Sequence, residues 1–408
     1  MNSPTPSTKM TLAVVFVLVL VFGFMIAQKS RLEAGHPEIY FKQNMLQSLW
    51  YHYKQDYMEK DTFRVLDKSK NNITTSEGES YAMLRSVWMD DKTTFDASWS
   101  WTKNNLAHKN DHLFSWLFGE KADGTYGVLT TLGGDHTATD ADSDIAVALL
   151  FASHRWNDDS YRYQAKQIIQ DIWTHEVGII NGKPYLLANN AEKSDLTKNT
   201  YIINPSYFSP YAYRMFAVVD PDHDWLGLVD TSYDVLAQTS TLPLDRNSSK
   251  GLTPDWIEIN KKTGELSASK VDGLTTNFSY DALRTPWRIT LDKEWYNEPR
   301  AVTYLHSLSF LSKEINVNGK IISNYSHDGV ALETHDSPAV YGGTIGYFIY
   351  EDQNIAHDVY IRNLESLYNP DTFNWNTTLG YYDANWAWFG MALYNHALPN
   401  LYVTPNSQ

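Results

Sequence analysis

The chain contains no cysteine. Disulfide cross-links, thiolate nucleophiles and cysteine-built zinc sites are therefore excluded, while the compartment stays open, because exported proteins can also lack cysteine. Positive charge is scarce: 33 Lys and Arg stand against 48 Asp and Glu, a net charge of −15. That deficit argues against nucleic acid or an anionic surface as partner. Strand-like alternation is nearly missing, with Tyr126–Leu129 and Ile315–Val317 as short exceptions. No repeat, low-complexity linker or composition break divides residues 35–408, and no Gly-rich phosphate loop is present.

Aromatic residues, by contrast, are abundant: 14 Trp, 27 Tyr and 16 Phe. Core packing uses many of them, and the surplus of Trp and Tyr suits a groove that stacks on sugar rings, each ring offering a flat apolar face and a polar edge. Near the start, Thr11–Ala27 is free of charge and strongly apolar, with Lys9 before it and Lys29 and Arg31 after it. Its length is at the low end for a membrane-spanning helix, and no good small-x-small cleavage site follows. The division expected is a short lead at 1–10, a transmembrane anchor or signal segment at 11–27, a linker at 28–36 and one main domain at 37–400. An anchor would hold the chain on the extracellular face of the cell membrane; cleavage would release it as a secreted protein.

From Pro37 onward the pattern reads as helices joined by turn-rich connections. Pro37 suits the first position of a helix running to about Tyr57, with Leu46, Leu49 and Trp50 on one face. Further helices are expected near 76–90, 94–107, 140–156, 159–175, 205–217, 222–240, 277–290, 292–313, 336–350, 352–368 and 381–397. One all-α domain of stacked helical hairpins follows, long enough to close into a ring.

Three stretches carry chemistry. In Thr75–Met83 a helix begins, and Ser76 with Glu79 fits a Ser-x-x-Glu capping box, leaving Glu77 without such an assignment. Glu77 is either a first-turn carboxylate favoured by the helix dipole or a general acid. The second role needs desolvation or a neighbouring carboxylate, such as Asp140 or Asp142, to outweigh that dipole. In Ala138–Trp156, acids at 140, 142 and 144 lead into the apolar run Ile145–Leu150. Desolvating charge is costly, so acids at this place point to acid/base work or sugar-hydroxyl binding. In Asn277–Arg288, Asp281 and Arg284 are helical neighbours, and Arg288 shares their face if Pro286 does not break the helix. The plain reading is a surface ion pair worth ~0.3 kcal/mol; the functional one is a base kept ionised by two arginines. His136, beside Asp135 and Asp140, reads as a loop histidine rather than a ligand. Two carboxylates around an oxocarbenium-like transition state are what glycoside hydrolysis needs.

The run Ala138–Trp156 matches A-[ST]-D-[AG]-D-x2-[IM]-A-x-[SA]-L-L-x-A-x3-[FW] at every fixed position. In this it resembles glycoside hydrolase family 8. Ser76-Glu77-Gly78-Glu79-Ser80-Tyr81 is similar to that family's S-E-G-Q-S-Y segment, with Glu79 in place of Gln, and Tyr280–Arg284 to its Y-D-A-x-R segment. Asn204–Phe208 and Tyr381–Asp383 fit as well, so the resemblance covers roughly 37–397. It implies an (α/α)6 barrel and inverting, endo-acting hydrolysis of β-1,4-linked glycans. Carried over by motif, Glu77 is the general acid, Asp281 the general base, and Asp140 binds and helps distort the sugar at the cleavage point. Tyr280, Arg284, Asp142 and Tyr207 are expected to bind substrate. Glu79 would either raise the pKa of Glu77 or only cap the helix. Inversion needs room for a water, so the two carboxyl groups are expected about 6.5–9.5 Å apart.

The substrate expected from this resemblance is cellulose or a related exopolysaccharide glucan. Chitosan and mixed-linkage glucan are the alternatives, since a charge of −15 would favour a cationic polymer. A different class is a catalytically weak glycan-binding component of a polysaccharide synthase complex. The chain is expected to act as a monomer, without metal or organic cofactor.

Overall fold

Thr75 shows how local chemistry starts the fold: its hydroxyl accepts the Gly78 N–H at 3.1 Å, capping the helix that opens at Ser76. The computed structural model describes residues 37–402. The chain divides into two compact units, Met1–Ser48 and Leu49–Gln408. The lead, the charge-free run at 11–27 and the linker lie outside the described residues. Among the described residues, no helix is long and apolar enough to cross a membrane.

The described helices are α1 (Pro37–Tyr57), α2 (Ser76–Trp88), α3 (Lys92–Asn105), α4 (Thr139–Arg155), α5 (Asp159–Glu176), α6 (Asn190–Ser194), α7 (Pro210–Val219), α8 (Trp225–Thr239), α9 (Thr285–Tyr296), α10 (Pro299–Ser307), α11 (Phe310–Asn318), α12 (Pro338–Glu351), α13 (Gln353–Asn363) and α14 (Tyr381–Tyr394). Within the second unit, α2, α4, α7, α9, α12 and α14 pack in succession, and most are backed by the helix that follows: α3, α5, α8, α10 and α13. Side chains join the last inner helix to the first. Arg85 on α2 donates to Asn385 on α14 at 3.0 Å, and Tyr81 meets Trp386 edge-on at 5.8 Å. Six inner helices, mostly paired with outer ones, are consistent with the (α/α)6 arrangement.

Helix α4 is buried from Thr139 through Ser153, with alanines at 141, 146, 148 and 152 letting its neighbours approach. The α12–α14 contact is closer still: a Cβ at Gly342 would lie 1.9 Å from the Trp386 carbonyl oxygen. Prolines 210, 299 and 338 open their helices, where the missing N–H costs nothing. Pro299 also accounts for a correction. The single helix expected at 292–313 is broken, and Ile315–Val317, expected as a strand, lies inside α11.

Ten short strands cap one connection after another. They are β1 (Thr74–Thr75), β2 (Leu117–Glu120), β3 (Tyr126–Val128), β4 (Val177–Ile180), β5 (Lys183–Leu186), β6 (Thr200–Ile203), β7 (Ile257–Asn260), β8 (Leu266–Ala268), β9 (Tyr368–Asn369) and β10 (Asn374–Trp375). All pair antiparallel, in the orders β1-β2-β3, β4-β5, β6-β7-β8 and β10-β9. The first sheet leads directly into α2.

Candidate active site

The Ser76 N–H donates to the Trp116 carbonyl at 3.0 Å, fixing the start of α2 against the segment before β2. Glu77 therefore sits in the first turn of a capped helix and lines a groove. The capping box expected of Ser76 and Glu79 does not form, because Thr75 is the cap. Glu79 turns into the core, where its Oε1 accepts the Val65 N–H at 2.8 Å. Burial pushes its carboxyl up to about 8, against the pull of the Val65 N–H and Arg64. Burial thus favours its neutral form, which would add no negative charge beside Glu77.

Arg284 organises the groove floor. Its Nη1 donates to Glu77 Oε2 at 2.7 Å and to Asp140 Oδ2 at 3.0 Å; its Nη2 donates to Asp281 Oδ1 at 2.6 Å and to Ser206 Oγ at 2.8 Å. Tyr207 covers the guanidinium at 5.4 Å. The guanidinium is buried, and the carboxylates and phenols around it hold it firmly protonated against the opposing effect of burial. Tyr381 completes Glu77, donating to Oε1 at 2.9 Å. Asp140 is closed off at 3% side-chain exposure, whereas Glu77 and Asp281 remain reachable at 22% and 31%. Burial pushes Asp140 up to about 6; Arg284 opposes this and Glu77 reinforces it.

This arrangement corrects three expectations. Residues 277–281 are not helical. A 3-10 turn at Ala282–Arg284 precedes α9, and Pro286 lies in the first turn of α9. Asp281 and Arg284 form a largely buried pair, not a surface one. Arg288 turns away to Asp144, with Nη2 2.7 Å from Oδ2, so Asp281 has one arginine beside it.

Behind Asp281 lies Asp255, which was invisible in the sequence pattern. Its Oδ1 accepts the N–H groups of Ser279 at 3.1 Å and Ala282 at 2.8 Å, and its Oδ2 accepts the Ser279 hydroxyl. Burial, and then the charge of Asp281, push it up to about 7. The next residue, Trp256, donates its indole N–H to Asp281 Oδ2 at 3.1 Å.

Six of the seven residues singled out from the sequence line one groove of about 520 Å³: Glu77, Asp140, Asp281, Tyr280, Arg284 and Tyr207. Asp142 does not. It is fully buried two residues along α4, accepts the Phe114 N–H at 3.2 Å and faces Glu176. Burial and then Glu176 push Asp142 upward, and burial raises Glu176 to about 7. One oxygen of each finds no other hydrogen-bond partner, which fits two buried carboxyl groups sharing a proton. Asp142 thus belongs to the support of α4, not to substrate. Trp116, Ser206 and Trp256 also reach the site. Only Ser206 had a signal, inside the Asn204–Phe208 segment. His136 is exposed in its loop, and its carbonyl accepts the Trp116 N–H at 2.8 Å. Among the described residues, no group of three or more His, Asp or Glu side chains is placed to hold a metal ion.

Comparison with known proteins adds a family. The model for glycosyl hydrolases family 8 matches residues 39–359. The chain is 30% identical over 280 residues to Endoglucanase 2 of Ruminiclostridium josui, covering 67% of this chain and 55% of that one. It is 32% identical over 239 residues to an endoglucanase of Salmonella typhi, covering 58% and 59%. The chain thus spans little more than half the length of these relatives. Among solved structures, the endo-1,4-D-glucanase of Vibrio fischeri ES114 superposes with a TM-score of 0.70 at 25% identity, covering 85% of this chain and 94% of that one. A beta-1,3-1,4-glucanase of Paenibacillus sp. X4 shares the fold with a TM-score of 0.72 at 23% identity, covering 88% and 92%.

Proposed function

The chain belongs to glycosyl hydrolase family 8, and from that premise we propose that it is an endo-acting, inverting hydrolase of β-1,4-linked glucan, cellulose or a related exopolysaccharide. The observation that carries this reading is the single guanidinium of Arg284 gathering Glu77, Asp140 and Asp281 at one groove floor. In the reaction, Glu77 gives its proton to the glycosidic oxygen as the C–O bond breaks and the bonding pair leaves with that oxygen. A water held by Asp281 attacks the anomeric carbon from the opposite face, and its proton passes to Asp281. Three carboxylates around one guanidinium leave the cluster negatively charged, which stabilises positive charge developing on the sugar ring. Asp140, which lines the groove, would bind the hydroxyls of the distorted sugar. Tyr280, Tyr382 and Trp116 supply aromatic surface along the groove.

Chitosan is the second reading. Asp67 and Asp383 add to the three central acids along the groove, against Lys70 and Arg284 as its basic residues. A cationic polymer is attracted by such a field. We also propose, from the sequence alone, that residues 11–27 hold a monomeric enzyme on the extracellular face of the membrane, near a polysaccharide synthase complex. Membrane fractionation of the full chain tests that part.

The activity test is reducing-sugar release by the full chain on carboxymethylcellulose, mixed-linkage glucan and chitosan, with Glu77→Gln and Asp281→Asn alongside. Activity lost in both variants is the expected result, and the preferred polymer identifies the substrate. Activity surviving both substitutions would overturn the two roles. Polymer binding without turnover would move the protein to the glycan-binding class.

A further inference from the structure

Nearly every tryptophan in this chain is satisfied by its surroundings. Each either packs its ring against another aromatic ring or a cation, or donates its indole N–H. Trp375 is different: among the described residues its ring has no aromatic or cationic partner and its indole N–H has no acceptor. It stands half-buried in β10, where its backbone pairs with Tyr368. Its side chain lines a cavity of about 310 Å³ together with Tyr57, Lys68, Asn374, Thr377 and Thr378.

Two further observations mark this place. Phe373, two residues earlier, is 59% exposed and takes a φ of +58°. A bulky side chain in the left-handed region costs on the order of 1–3 kcal/mol, and such strain concentrates where a loop has work to do. The cavity also adjoins the groove. Lys68 and Leu379 line the cavity, while Asp67, Ser69, Lys70, Gly380 and Tyr381 of the same two segments line the groove. A polymer passing over those segments meets Trp375 next.

The chemistry of the cavity is that of a sugar site. An open indole offers a flat face to the C–H side of a pyranose. The hydroxyls of Thr377 and Thr378 and the ammonium of Lys68 have no partner among the described residues, so they are available to sugar hydroxyls. We propose that this cavity is a distal subsite for the glucan chain, with Trp375 as its stacking platform. It rests on the hydrolytic reading of the groove and adds a second point of contact on the same polymer.

The test uses the full chain carrying Glu77→Gln to stop turnover, alone and combined with Trp375→Ala or Trp375→Phe. Binding is measured for soluble mixed-linkage β-glucan and for cellotetraose, with thermal melting to verify the fold. Trp375→Ala is expected to weaken polymer binding on the order of tenfold, as loss of one stacked ring should. Cellotetraose binding is expected to stay the same, and Trp375→Phe to recover most of the polymer affinity. Unchanged polymer affinity in the Ala variant, an equal loss for cellotetraose, or no polymer binding at all would each overturn the proposal. Hydrolysis by the unsubstituted chain is scored separately. A chain that binds as expected but does not hydrolyse sinks the catalytic reading and keeps the subsite. A chain that hydrolyses without a Trp375 effect does the reverse.

Discussion

Arg284 Nη1 lies 2.7 Å from Glu77 Oε2, a contact between residues 207 positions apart in the chain. Nη2 of the same group lies 2.6 Å from Asp281 Oδ1. One planar fork therefore sets the spacing of both carboxylates, a task that a lysine's point charge cannot repeat. Arg284→Lys should lower kcat by about 100-fold or more, because misplacement near 1 Å costs that much. Arg284→Ala should also cost about 3–5 kcal/mol of stability, since it leaves the buried Asp140 carboxylate without its cation. Steady-state kinetics and urea unfolding give the two numbers. A Lys variant with near-normal kcat would show that charge alone suffices.

Asp255 holds the turn that carries Asp281 through two backbone N–H groups and one hydroxyl. It touches none of the reacting atoms, so its effect should pass through the placement of Asp281. Asp255→Ala should reduce kcat on the order of 100-fold while KM changes little. Asp255→Asn keeps an acceptor for the two N–H groups and should retain most of the rate. It also removes the one group beside Asp281 that titrates near 7, so any inflection of the pH–rate profile near 7 should disappear while the acid side stays unchanged. Equal damage in both variants, in kcat and KM together, would mean that the residue serves folding only.

The sequence made the helical class legible because apolar spacing is a local property; α4 and α5 end within a residue or two of their expected bounds. Boundaries went wrong where tertiary contacts override spacing. Residues 277–281 have helical spacing, yet the Phe278 backbone pairs with Tyr325 and the chain turns only after it. The meeting of Glu77, Asp140 and Asp281 in one groove was legible because each sits in a motif segment. Asp142 shows the limit: two residues along a helix turn a side chain away from the groove, and motif membership does not tell which face it takes. Asp255 and Trp256 carry no motif and enter the site only through long-range packing.

Glu79 allows a pH prediction with a definite sign. Its carboxyl is raised to about 8 in the folded chain, above its ordinary value near 4.5. A raised folded pKa stabilises the protein fully below the unfolded value and loses that contribution as pH rises through about 8. Glutamine offers the same acceptor to the Val65 N–H and cannot ionise. Glu79→Gln should therefore match the natural chain in melting temperature near pH 4 and exceed it by a few degrees at pH 9. Parallel melting curves across that range would show that Glu79 does not ionise against its surroundings.

The stereochemical outcome is the most direct test of what the groove does. Glu77 and Asp281 are held on different nitrogens of Arg284 rather than against each other, both reachable from solvent. If a water fits between Asp281 and the sugar, the first product carries the α configuration at its new reducing end. If Asp281 instead bonds to the anomeric carbon, two successive displacements restore β. Carboxyl groups about 5 Å apart favour the second path and about 6.5–9.5 Å the first. Proton NMR during the first minutes of cellohexaose hydrolysis reads the anomeric signals before mutarotation blurs them. The α anomer should appear first. An initial β anomer would reassign Asp281 from base to nucleophile while leaving Glu77 as the acid.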